Sequence, residues 1–492
     1  MPLSDPKYLI FLFTVVMLFY VLRGQRLRSA VLLLASYVFY FNLSRYYSFV
    51  LIFVTIVAYS GGILLTAKGH AHRRNLLLAL CCVILLAPLI ILKYLEFVVG
   101  VAVAIGAVPG STSPFLHLAM PVGISFFTFA ALGYLIDVYL EVIGPTRRLL
   151  DFALFTAFFP LVTAGPIERA DSFLPQFDFH RLQFNSASAF AAARLIFLGL
   201  FLKVVCADTL VKSVDTIYAN PRQFIALEQL FGLVHYMFYV YADFAGYSLI
   251  AIGSALFFQL EVRPNFKQPF LSRTTPEFWR NWHISLSSWV RDYLFTPLRT
   301  KWRRYAEVGM IGAVMVSFLV LGIWHGAGWG FVLFGLMHGL LVSGSILTLK
   351  HRDAIWSAVG IPTTLVHISR VFCTFVLVML TFVVFRANSL HDAGYIYRHI
   401  FSADLIRSAW HGARLHTSPP DKPTPFQVIS FSSITWVIIG LLMIGDIVAR
   451  RAFSIEKLPL PVQITIYNVG IGLIVWKWIE NTAAQPFLYY RF

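Results

Sequence analysis

Long apolar stretches recur from one end of this chain to the other, and they decide its solvent. A helix that crosses the hydrocarbon core of a bilayer needs about 20 mostly apolar residues to span about 30 Å. Candidate stretches stand near residues 8–22, 29–43, 47–66, 76–99, 118–139, 188–206, 227–257, 307–324, 329–349, 366–385, 429–449 and 463–481. The chain is 58% hydrophobic and 13% charged, against roughly 45–50% apolar residues in a soluble domain. A water-soluble fold would have to hide nearly all of these stretches at once. At membrane depth no water satisfies an open backbone, so each stretch is expected to be helical. The expected fold is therefore an all-α polytopic membrane protein with about 11–12 crossings, forming one transmembrane domain over residues 1–492. The first stretch, Tyr8 to Leu22, lacks a basic lead-in and a small-residue cleavage site, and reads as a retained span. Residues 227–257 fit one helix or two short ones, and residues 150–165, ending before Pro166, read as a re-entrant piece.

The net charge of +16 raises the question of nucleic acid, but the basic residues sit in short clusters between apolar stretches and form no patch with interleaved aromatics. The clusters are Arg23, Arg26 and Arg28; Lys68, Arg73 and Arg74; Arg147 and Arg148; Arg299, Lys301, Arg303 and Arg304; Lys350 and Arg352; Arg450 and Arg451. Positive-inside placement puts all six in the cytoplasm. Both termini and the loop 386–428 then lie outside, although that loop carries Arg398, Arg407, Arg414 and Lys422. Residues 259–306 break the hydropathic pattern with Pro264, Pro269, Pro276 and Pro297 among aromatic and basic residues, which reads as a cytoplasmic interfacial segment. Cys81, Cys82, Cys206 and Cys373 all lie in apolar segments without metal or redox spacing, so they read as small buried hydrophobes.

Ionisable groups at membrane depth are costly enough to mark function, and Asp137, His235, Asp243, His325, His338 and Asp446 are the candidates. His325 stands between Trp324 and the glycines Gly326, Gly328 and Gly330, which are expected to interrupt the helix beside it. On residue type alone it reads as a hydrogen-bonded core histidine. His338 follows thirteen residues later, more than two turns further along, and no third ligand accompanies the pair, so no metal site is expected. Asp137 and Asp243 sit among tyrosines and read as hydrogen-bonded structural carboxylates. Residues 280–293 place Trp282, Leu286, Trp289 and Tyr293 at helical spacing with Arg280, His283 and Arg291 off that line. This reads as an amphipathic interfacial helix that either anchors the chain or binds an anionic donor. No nucleophile elbow, P-loop or complete catalytic triad is present in the sequence.

An ordered series of motifs runs through the chain: PVGISFFTFAALGYLIDVY at 121–139, FFPLVTAGPIER at 158–169, DFAGYSLIAIG at 243–253, the long segment 264–298, the Trp-His-Gly triplet around His325, TFVVFRANSLHDA at 381–393 and PFLYYRF at 486–492. The series resembles the membrane-bound O-acyltransferase family, and within it the bacterial alginate O-acetylation branch. Ser248-Leu249, Pro160-Leu161 and Arg299-Thr300-Lys301 depart from that branch's usual Ser-Asp, Pro-Gln and Gly-Gly-Asn. The resemblance implies a bowl of membrane helices around a tunnel, with His325 as the catalytic base. His338, His283, Trp324 and Trp329 become tunnel or supporting residues, and Arg280 and Arg291 become donor-binding. It further implies a multi-pass protein of the bacterial inner membrane. Acetyl from cytoplasmic acetyl-coenzyme A would pass toward an extracellular or cell-wall polysaccharide, helped by a separate periplasmic or membrane-anchored SGNH-type partner. No bound cofactor or nucleic acid is expected. D-alanyl transfer to teichoic acid from a carrier protein, or transport without chemistry, are the alternatives. Filling the space at Gly326 or Gly328 is expected to abolish transfer.

Overall fold

A computed structural model describes residues 1–66, 73–106, 120–414, 433–450, 455–480 and 487–488. Lys68, Lys422, Arg451, residues 415–428 of the expected external loop and most of the closing motif at 486–492 lie outside the described residues. Every regular element among the described residues is helical.

A helix stands at each of the twelve expected stretches. Among the described residues seven helical segments are long and apolar enough to cross a bilayer: Arg45–Thr66, Arg74–Ala104, Ser186–Ala219, Arg303–His325, Trp329–Val359, Thr363–Arg386 and Leu460–Glu480. Pro6–Val21 and Ile124–Tyr139 are apolar but shorter. The remaining three are Gln25–Leu43, Ala226–Leu256 and Ser433–Arg450, and each buries an ionisable residue: Arg28, Asp243 and Asp446. Residues 227–257 thus form part of one helix, not two. The piece at 150–165 is a nine-residue helix, Leu149–Ala157, followed by buried turns. At 1.5 Å per residue it rises about 14 Å and is too short to cross. Leu365, Ile368 and Phe372 form an exposed apolar stripe along Thr363–Arg386, a surface that lipid accepts and water does not.

The chain divides into two compact units. One comprises the described residues of Met1–Leu200, Tyr247–Asn265 and Pro486–Phe492; the other comprises those of Phe201–Gly246 and Phe266–Gln485. The first is packed with aromatic rings: Phe159 meets Phe11 at 5.3 Å and Phe258 at 6.1 Å between centroids. Arg28 is buried there because its guanidinium donates to the carbonyls of Phe179 and Leu182 at 2.8 and 2.7 Å, and to that of Leu22 at 3.0 Å. A charge expected at the membrane surface therefore ties the loop near residue 180 to the turn between the first two helices.

The second unit holds the two conspicuous histidines of the sequence. Its hairpin, Ala306–His325 and Trp329–Val359, packs backbone against backbone where glycines meet. A Cβ on Gly322 would lie 2.4 Å from the carbonyl oxygen of Phe331, and one on Gly335 2.4 Å from that of Phe318. Small residues at such crossings let helices approach closely in lipid.

Candidate active site

The helix Ala306–His325 ends on the histidine itself, and the next begins at Trp329. Gly326 and Gly328 between them are extended, with φ of −174° and −177°. The helix break expected from the glycines is therefore present. Its consequence is chemical. His325 is buried, 3% exposed, and its Nδ1 lies 2.7 Å from the carbonyl oxygen of Leu321 one turn back. A carbonyl only accepts, so Nδ1 carries the proton and the accepting nitrogen of the neutral ring is Nε2.

His338 is held differently. The indole N–H of Trp279, which only donates, reaches its Nδ1 at 3.1 Å. Its Nε2 lies 2.8 Å from the hydroxyl of Thr381, whose single proton is donated to the carbonyl of Val378 at 2.7 Å. The bonds close only if His338 is neutral with its proton on Nε2. Both ring nitrogens are then committed.

Aromatic rings connect the histidines. Trp324 lies 5.7 Å from His283 and 5.1 Å from His325. On the other side Phe334 lies 5.7 Å from His325 and 4.5 Å from His338. His283 is fully buried, with φ 44°, ψ 55°, a left-handed conformation costly for a residue with a Cβ. That kink ends one helix, Thr275–Asn281, and starts another, Ile284–Val290. The continuous amphipathic helix expected over 280–293 is therefore broken at the histidine, and a π-helical turn, Arg291–Phe295, follows. Trp282, Leu286 and Trp289 are nonetheless buried as their spacing implied. Trp329, the first residue of the helix after the break, is 56% exposed.

A cavity of about 230 Å³ lies beside this cluster. Its walls include the faces of two helices, Val314, Ser317, Phe318 and Leu321 on one and Ile284, Ser287 and Ser288 on the other, the latter continued by Arg291 at the start of the π-helical turn. Trp279 and Arg280 complete the side nearest the kink, so the structure brings both candidate donor arginines to one cavity. Both arginines are exposed, and Arg291 is paired with its neighbour Asp292 at 2.8 Å, a contact that raises its pKa further. The volume is below the roughly 300–1,000 Å³ of pockets that enclose a drug-sized ligand. Leu321 lines the cavity and also accepts from His325, which itself stands one turn, about 6 Å, further on.

One buried cluster was not legible in the sequence. Lys203, 2% exposed in the π-helical turn Phe201–Ala207, reaches Asp208 at 2.8 Å and Asp243 at 2.7 Å. Asp243 is thus paired with a lysine, a partner its tyrosine-rich surroundings did not announce. Asp446 does pair with a tyrosine, Tyr241, at 2.7 Å, and His235 meets Ser213 at 2.8 Å. Among the described residues no three His, Cys, Asp or Glu side chains form a metal-sized group.

A polytopic helical protein with a buried, tautomer-defined imidazole at a glycine break, bonded to a residue that lines a cavity, has the form of a membrane-embedded transferase. The model of the membrane-bound O-acyltransferase family matches residues 140–385, and relatives align along most of the chain. A probable alginate O-acetylase AlgI of Pseudomonas putida is 36% identical over 90% of this chain and 97% of its own length. The peptidoglycan O-acetyltransferase of Helicobacter pylori is 33% identical, covering 56% of each chain. The teichoic acid D-alanyltransferase of Bacillus subtilis is 28% identical over 57% of this chain and 78% of its own length. The chain belongs to the membrane-bound O-acyltransferase family and is an acyltransferase.

Proposed function

We propose that this enzyme takes acetyl from acetyl-coenzyme A on the cytoplasmic side of the bacterial inner membrane and passes it toward an extracellular or cell-wall polysaccharide. The observation that carries the reading is the proton on Nδ1 of His325, bonded to Leu321, which directs the basic Nε2 away from its own helix. In this reading the donor's phosphates pair with Arg280 and Arg291, since guanidinium groups bind phosphate well, and its thiol-bearing arm lies along the face from Val314 to Leu321. The acceptor hydroxyl attacks the thioester carbonyl carbon as its proton passes to Nε2. The tetrahedral intermediate then collapses with cleavage of the C–S bond, and the imidazolium returns the proton to the departing sulfur. Coenzyme A leaves as the thiol, the acceptor leaves as the acetyl ester, and the ring is neutral again.

Acetyl is favoured over D-alanyl because an O-acetylase relative is 36% identical over 90% of this chain, whereas two D-alanyltransferase relatives are 28% and 31% identical over 57% and 44% of it. A separate SGNH-type partner outside the membrane would place the acetyl on sugar hydroxyls. Purified protein in vesicles, given labelled acetyl-coenzyme A on one face at a time, tests the proposal. Turnover is expected only from the face where cysteines placed at 299–304 are labelled. His325→Ala is expected to lower turnover about 10²- to 10⁴-fold with thermal stability retained; near-normal turnover in that variant would overturn the assignment.

A further inference from the structure

We propose that Trp279, pinned by His338 and Thr381, is the wall that sizes the acyl group, so that this relay sets the chain-length specificity of the enzyme. The inference rests on the thioester-donor reading above. Trp279 is the largest side chain lining the cavity and is 6% exposed. Its ring meets Phe318 at 5.2 Å, Phe334 at 6.5 Å and His338 at 4.9 Å. The indole therefore stands between the cavity and the rings that surround His325. An unbonded indole in such a position would exchange orientations and give the cavity a variable depth.

The hydrogen-bond order removes that freedom. Trp279 donates to Nδ1 of His338, His338 donates from Nε2 to Thr381, and Thr381 donates to the carbonyl of Val378. Every proton is used and every direction is set, so protonating His338 would turn Nδ1 into a donor facing another donor. His338 is thus a positioning residue and takes no part in proton transfer. Val378 and Thr381 belong to the helix Thr363–Arg386, and His338 to Trp329–Val359. The relay anchors a residue of the broken interfacial segment to two long membrane helices. Neither His338 nor Thr381 lines the cavity, so a change in specificity on altering them must pass through Trp279.

Removing indole bulk should deepen the cavity toward Phe334 and admit longer chains. One methylene in an apolar pocket changes specificity by about 10- to 200-fold. The test measures kcat/KM for acetyl-, propionyl-, butyryl- and hexanoyl-coenzyme A on purified full-length protein. Trp279→Leu is expected to raise the butyryl-to-acetyl ratio about tenfold or more. His338→Leu and Thr381→Val should shift it in the same direction by smaller factors, with Trp279 in place. His338→Gln, whose amide accepts from one end and donates from the other, should return the ratio toward wild type, a rescue that a merely structural role would not produce. Wild type active on acetyl-coenzyme A, with a ratio that stays fixed in all three disruptive variants, overturns this inference alone. Wild type inert toward all four thioesters overturns the donor reading and the inference with it.

Discussion

His325 and His338 are the same residue type, thirteen positions apart on the two arms of one hairpin, yet the fold uses them in opposite ways. At His325 the helix stops, and the ring turns back to its own Leu321 carbonyl. One nitrogen is spent on orientation, and the other is the neutral ring's proton acceptor. At His338 the helix continues, and neighbouring elements bond both nitrogens. Both rings are deeply buried, so what marks His338 as a fixed spacer is that bonds from two neighbouring helices set the role of each of its nitrogens. Lys203 shows a third solution, a full charge compensated by two carboxylates.

The largest effect expected is on that third group. Lys203→Met leaves Asp208 and Asp243 buried without their cation, and breaking such a pair costs about 3–5 kcal/mol. Thermal unfolding in detergent should show a large loss, while the turnover of molecules that remain folded falls far less. A selective loss of turnover with unchanged melting would place Lys203 with the histidines. Next comes the glycine break. A Cβ on Gly326 would lie 2.2 Å from Cε2 of Phe331, and Phe331 packs on Phe385, which packs on His325 at 5.1 and 5.3 Å. Gly326→Ala is expected to cost about 1–3 kcal/mol, as overpacking does, with turnover reduced. On Gly328 the nearest atom to a Cβ is 3.6 Å away, so Gly328→Ala should stay within about 0.5 kcal/mol. The two glycines, equivalent in the sequence, are unequal in the structure. Smaller still are the donor arginines. Arg280→Ala should raise KM for the donor by about tenfold at nearly constant kcat, a loss of uniform binding. Arg291→Ala should do less, because Asp292 already occupies its guanidinium. Kinetics with varied acetyl-coenzyme A separate the two terms.

Much of the fold was legible because the bilayer imposes so few choices: length and apolarity alone located helices at all twelve stretches. The break after His325 was legible too, through its glycines. The rest depended on long-range geometry. Spacing alone predicted a continuous helix over 280–293, because nothing in the sequence signals that His283 adopts a left-handed backbone. Lys203 lies in an apolar run forty residues before Asp243, and only the packing of their helices pairs them. Phe334 gave no sign of joining two histidines, and the 56% exposure of Trp329 was not readable from its motif.

The central claim is that His325 moves the proton and His338 only holds a wall, and one paired measurement tests it. Acetyl transfer from acetyl-coenzyme A is followed for His325→Gln and His338→Gln at matched folded concentration. Glutamine has no proton-accepting base at neutral pH but reproduces a donor and an acceptor, so it removes what His325 supplies and keeps what His338 supplies. The account predicts a fall of about 10²- to 10⁴-fold for His325→Gln and a much smaller change for His338→Gln. Loss of transfer in His338→Gln with His325→Gln still active would contradict it.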